Sequence, residues 1–221
     1  MATSKVSIVL LLLNPHMEAR ERILAKAHEL FNRFGIRSVT MDDIALKTGM
    51  SKKTIYQSFA NKDELVEAVL KGHLTKNLSL CEMNKQRAEN ALHEVILNID
   101  TIQELMGEMN PNIFSDLEKF HHATFLILYQ HKNTFLYKTI KENLEWGVRD
   151  ELYRDDISID VLTKLRLETM FLPFNQEIFP YGKYNLVDVE RQFLENFIYG
   201  IATLKGHKLI DKYKQQRIKT K

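Results

Sequence analysis

The sequence predicts an all-α fold of about nine helices, and three observations carry that prediction. Helix-compatible residues dominate, with only 8 Gly and 4 Pro among 221 residues and no Pro between Pro15 and Pro111, whereas strand-rich folds need turns punctuated by both. Apolar residues recur at spacings of three and four through most of the chain. Residues that start and stop helices stand where those patterns begin and end. With 44% apolar and 27% charged residues, the balance is that of an ordinary globular protein and excludes a disordered chain.

Residues 1–17 read as a leader or flexible arm, because the short apolar run at 6–13 lacks the cleavage site of a signal peptide and is far below the ~20 residues of a membrane span. Helical periodicity begins near Glu18, with Ile23, Ala27, Leu30, Phe31 and Phe34 on one face and Gly35 at the expected left-handed stop. Thr40 caps a second helix with Asp42 and Asp43 in its first turn, and Gly49 ends it. Ser51 caps a third helix, whose inner face is Ile55 and Phe59. Asn61, with Glu64 three residues on, forms a capping box for a fourth carrying Leu65, Val66, Val69 and Leu70. Leu92 to Leu105 makes an amphipathic segment broken by Asn110-Pro111. Helices follow over 113–129 and 135–146, the latter ended by Gly147, and another runs from 159 to about 174. Pro180 to Gly182 is a turn, and 186–204 closes the ordered body. The predicted domains are 18–76, 77–205 and a basic tail at 206–221.

Charge separates the segments. Residues 17–62 hold nine Lys/Arg against five Asp/Glu, and the rest of the body is mildly acidic, which points to a nucleic-acid partner for the first domain. Cys81 is the only cysteine, so an intrachain disulfide and a cysteine-based zinc site are both excluded, and a reducing cytoplasmic setting fits.

Within the first domain, Ala45, Gly49 and Ile55 have helix-turn-helix spacing. A small residue lets the helices approach, Gly49 permits the positive φ of the turn, and Ile55 packs back into the angle. At 100° per residue, Lys53 and Gln57 point directly away from Ile55, with Thr54 and Tyr56 on the shoulders. A cation, an amide and two hydroxyls suit base edges and phosphates, and Ser51, Lys52, Asn61 and Lys62 lie at helix N-termini that favour phosphate.

Residues 18–66 resemble the N-terminal domain of the TetR-like (tetracycline-repressor-like) transcription regulators. The resemblance rests on Ile23, Ala27, Leu30, Phe31, Gly35, Thr40, Ile44-Ala45, Gly49 and the run from Ser51 to Leu65, SKKTIYQSFANKDEL. It implies DNA contacts by Thr40, Ser51, Lys52, Lys53, Thr54, Tyr56, Gln57 and Lys62. Lys53 and Ser58 depart from the residues usual there, so the operator cannot be transferred from a relative. Elsewhere the likeness is limited to the helical layout and the patch Trp146-Gly147-Val148-Arg149.

The resemblance further implies a homodimer on a pseudo-palindromic DNA operator, released by a small-molecule effector, most often as a repressor. Phe193, Phe197, Ile201 and Leu204 form a wide apolar stripe, which is either the dimer seam or an internal core contact; the seam is expected. Met106, Phe120, Tyr129, Phe135, Trp146, Met170, Phe171 and Phe174 are the candidate effector-pocket lining. Two alternatives remain: a DNA-binding protein of the same fold without an effector, acting through protein contacts, and a helical metal-dependent hydrolase built on Glu118, His121 and His122. The hydrolase needs more ligands than one Glu-x-x-His supplies, and no nucleophile or phosphate-loop motif is present. No cofactor, no metal and no catalytic residue are expected.

Overall fold

The computed structural model describes residues 19–107 and 109–220; the expected leader at 1–17 lies outside them. Among the described residues there are eleven α-helical segments and no strand: α1 (Ala19–Phe34), α2 (Met41–Thr48), α3 (Lys52–Ser58), α4 (Lys62–Arg87), α5 (Ala91–Gly107), α6 (Ile113–Phe120), α7 (His122–His131), α8 (Tyr137–Arg149), α9 (Ile159–Phe171), α10 (Leu186–Ile201) and α11 (Leu204–Thr220). A π turn, Lys132–Leu136, joins α7 to α8 into one rod, which leaves ten rods against the nine or so expected.

The chain divides into two compact units. The first holds the described residues up to His73 together with Asn112–Phe125; the second holds Leu74–Pro111 and 126–221. The first unit thus takes in α6, which the sequence places in the second domain. Its core is the predicted face of α1 (Ile23, Ala27, Leu30, Phe31) packed with Ile44, Ala45, Ile55, Phe59, Leu65 and Val66.

In the second unit, Leu92, Ile96 and Ile99 of α5 pack with Leu144 of α8, Leu194, Ile198 and Ile201 of α10, and Ile210 and Tyr213 of α11. Residues 206–220, expected as a basic tail, lie within helix α11. Its Lys-rich composition hides its two buried hydrophobic residues, Ile210 and Tyr213, one turn of helix apart and too few to register as a periodic pattern. Gly147 does not end a helix either. It sits inside α8, and a Cβ there would lie 2.0 Å from the Tyr153 ring, so its role is close approach. The predicted helix at 113–129 is interrupted at His121, whose N–H closes α6 on the Leu117 carbonyl (3.0 Å) while its own carbonyl opens α7 by accepting from the Phe125 N–H (3.0 Å).

Candidate nucleic-acid interface

The helix-turn-helix is built by local chemistry. Thr40 caps α2 in a reciprocal box: its Oγ1 accepts from the Asp43 N–H (3.1 Å), and the Asp43 carboxylate accepts from the Thr40 N–H (2.8 Å) and hydroxyl (2.6 Å). The Thr40 hydroxyl bond, foremost, holds the Asp43 carboxyl below its ordinary pKa. Gly49 takes φ 68°, a left-handed conformation that L side chains rarely adopt, and turns the chain toward α3. Ser51 caps α3 by accepting from the Thr54 N–H (3.1 Å). At α4, Asn61 accepts from the Glu64 N–H (2.9 Å), while Glu64 reaches one residue further back than a standard capping box, to the Ala60 N–H (2.7 Å).

Ile55 and Phe59 are completely buried, and Lys53, Tyr56 and Gln57 are exposed, as the 100° geometry requires. α3 therefore presents an ammonium, a phenol and an amide on its outer face. Thr54 is half-buried and shares a hydrogen bond with Ser51 (2.9 Å). Lys52 reaches back across the turn to the Asp42 carboxylate on α2, at 2.6 Å. That hydrogen bond is the main cause raising the Lys52 pKa.

Lys62 is engaged within its own unit. Its ammonium turns inward and donates to the carbonyls of Ile36 (2.6 Å) and Arg37 (3.4 Å), tying α4 to the loop before α2. Burial pushes its pKa down, opposed by Asp116, Asp63 and Asp43. The same loop is held by Asp116 of α6, which accepts from the Arg37 N–H (2.9 Å), and Arg37 covers the Phe120 ring at 5.0 Å. No local spacing announces these partners, since Asp116 is 79 residues from Arg37 and belongs to another helix.

The eight pocket candidates fall on several elements of the two units. Phe120 belongs to the first unit, under Arg37. Met106 is buried, Tyr129 is about half exposed, and Trp146 packs on the core of the second unit. Around the π turn the structure gathers three of them: the Phe135 ring lies tilted against His131 (5.1 Å), and Lys132 lies 6.0 Å from the Tyr129 ring and 5.0 Å from the Phe171 ring. Met170 and Phe174 are half-buried on α9 and just beyond it.

The proposed seam residues also separate. α10 ends at Ile201, which is buried in its own chain's core, and Leu204 opens α11 and is 83% exposed. Phe193 and Phe197 are half-buried on the flank of α10. Ala202-Thr203 carries no residue type that stops a helix. The break comes from long-range pairing, in which Arg154 N–H donates to the Ile201 carbonyl (2.9 Å) and Thr203 N–H to the Leu152 carbonyl (3.0 Å).

The hydrolase constellation does not assemble. His121 is buried against Asp63, His122 stacks beside Phe125, and Glu118 is exposed on α6. Among the described residues no group of three or more His, Cys, Asp or Glu can hold a metal ion. No described helix is long and apolar enough to cross a membrane.

Residues 23–69 match the family of bacterial regulatory proteins of the tetR type. The chain is 30% identical over 109 residues to the uncharacterized helix-turn-helix regulator YvaF of Bacillus subtilis, a match covering 49% of this chain and 57% of that protein. The chain thus spans about half the length of that relative, and 41% of a second B. subtilis regulator, YvkB, at 37% identity. A crystal structure of a putative transcriptional regulator from Saccharomonospora viridis in complex with choline shares the fold, with a TM-score of 0.66 and 22% identity over 84% of this chain and 98% of that one. Capped helix-turn-helix, outward-facing Lys53 and Gln57 and the match over 23–69 agree: residues 23–69 form a TetR-like helix-turn-helix domain.

Proposed function

We propose that the protein is a homodimeric transcription regulator that binds a pseudo-palindromic DNA operator and leaves it when a small-molecule effector binds the second unit. The observation that carries the reading is the outer face of α3. Lys53 and Gln57 are exposed on a helix whose inner face is sealed by Ile55 and Phe59, behind a turn fixed by Gly49. Such a helix enters the major groove, where Lys pairs with guanine O6/N7 and Gln with adenine N6/N7. Two copies must present their helices about 34–36 Å apart to meet successive major grooves. An effector that prefers a differently spaced dimer shifts the population away from DNA.

A repressor role is supported by the relative KstR2 of Mycolicibacterium smegmatis, named a transcriptional repressor, at 22% identity over 86% of this chain and 93% of that protein. The choline complex supports a small-molecule site in this fold. Exposed Val161 and Leu165 of α9 are proposed for the seam with Phe193 and Phe197 of α10. A DNA-binding regulator acts in the cytoplasm and needs no catalytic group. Incubation with a random duplex pool, followed by footprinting of the retained sequence, tests the reading: a protected pseudo-palindrome is expected, and binding without preference over bulk DNA overturns it.

A further inference from the structure

We propose that Asp42 is an electrostatic brake on DNA binding: its carboxylate holds the Lys52 ammonium away from phosphate and so lowers affinity for duplex of any sequence. The inference rests on the DNA-binding reading above and adds a residue and a mechanism to it.

Asp42 and Asp43 both stand in the first turn of α2, and they do different things. Asp43 closes the capping box with Thr40 and satisfies the helix start. Asp42 contributes nothing to that cap. Its carboxylate instead reaches the Lys52 Nζ on the other side of the turn, at 2.6 Å, while both side chains stay mostly exposed, 57% and 66%. Asp42 is the second residue of α2 and Lys52 the first of α3, next in sequence to Lys53, so the pair stands at two helix N-termini, where phosphates are favoured. A carboxylate on such a face opposes phosphates, and an ammonium bonded to it is unavailable to them. An exposed ion pair contributes little to folding, so what stability Asp42 adds comes from its place in the first turn of α2 rather than from Lys52.

Phosphate and Asp42 compete for one ammonium. Each phosphate neutralised adds about 0.9 to the slope of log affinity against log salt, because a condensed counterion is released. The salt slope therefore counts whether Lys52 is engaged with DNA. Base choice is set elsewhere, at Lys53 and Gln57, so the brake acts on operator and random DNA alike.

The test measures binding of the full-length protein to a mixed-sequence duplex by fluorescence anisotropy between 50 and 200 mM salt. Parent, Asp42→Asn, Lys52→Gln and the double variant are compared. Asp42→Asn keeps a polar group near the helix start and should melt close to the parent. It is expected to bind more tightly at 50 mM salt, with a slope steeper by about 0.9, so that its advantage shrinks by about 3.5-fold by 200 mM. In the Lys52→Gln background the Asp42→Asn change should leave the slope unaltered, and the sequence motif selected by Asp42→Asn should equal the parent's. An unchanged slope in Asp42→Asn overturns the brake. So does a steepening that persists without Lys52, which would mean that Asp42 acts by its own charge alone. Failure of the parent to bind duplex even at 50 mM salt would instead sink the DNA-binding reading, and the brake with it.

Discussion

Lys62 faces a choice between a phosphate and two carbonyls, and its geometry favours the carbonyls. A charged donor bonded inside the protein contributes about 1.5–3 kcal/mol, and the Ile36 and Arg37 carbonyls would lose that donor together. Lys62→Met should therefore lower the unfolding free energy by about that amount in denaturant titration, while the salt slope of DNA binding stays near the parent's. A slope shallower by about one unit with unchanged stability would restore the phosphate role that the sequence suggests. The contrast with Lys53 and Gln57 is instructive. Their outward orientation was legible from Ile55 alone, because a short helix has one inner face. The destination of Lys62 was not, because its partners lie 25 and 26 residues upstream in the chain.

At the scale of elements, caps were legible and interruptions were not. Thr40, Ser51 and Gly49 act where their types require, since each works on backbone within a few residues. Thr40→Ala should cost about 1 kcal/mol in unfolding free energy, the usual value of an N-cap. The π turn at Lys132–Leu136, the break after Ile201 and the folding of 204–220 into α11 depend on packing partners distant in sequence, and no local pattern marks them. Gly147 looks like a stop signal in sequence but serves close approach. With the Tyr153 ring 2.0 Å from where a Cβ would sit, Gly147→Ala forces α8 and Tyr153 apart, and a loss of about 1–3 kcal/mol or more is expected by thermal or chemical unfolding.

Glu94 of α5 offers a test with a sign. It is buried, accepts from the Asn143 amide at 2.7 Å, and burial raises its pKa, with the Asn143 bond opposing. A carboxyl raised in the folded state is better tolerated protonated, so its penalty is absent below the unfolded-chain value, about 4.3, and appears as pH rises through the folded value. Glu94→Gln keeps an acceptor for Asn143. It should stabilise the protein at pH 7, with the gain vanishing below about pH 4. An equal gain at both pH values would show that burial of the charge is not the cause.

For the whole molecule, we propose that the first unit reads DNA and the second pairs two chains. The sequence marks an apolar α10, and the burial of Ile201 shows that part of this face is used within the chain. Val161 and Leu165, 59% and 49% exposed, are free of that duty. Leu165→Glu should leave helicity and melting close to the parent's, convert the protein to a monomer in sedimentation, and weaken operator binding by about 10²-fold or more, since the second half-site no longer adds its share. A dimeric, fully active variant would move the seam elsewhere.

The central claim is that the outer face of α3 selects DNA sequence on behalf of a twofold dimer. Selection from a random duplex pool, run in parallel on the parent and on Gln57→Ala, addresses it most directly. The parent should enrich a pseudo-palindrome whose half-site centres lie one helical turn apart. Gln57→Ala should enrich the same motif with one position relaxed symmetrically in each half, a loss of about 1–3 kcal/mol of discrimination there. An unsymmetrical motif, or identical motifs from the two proteins, would contradict the account.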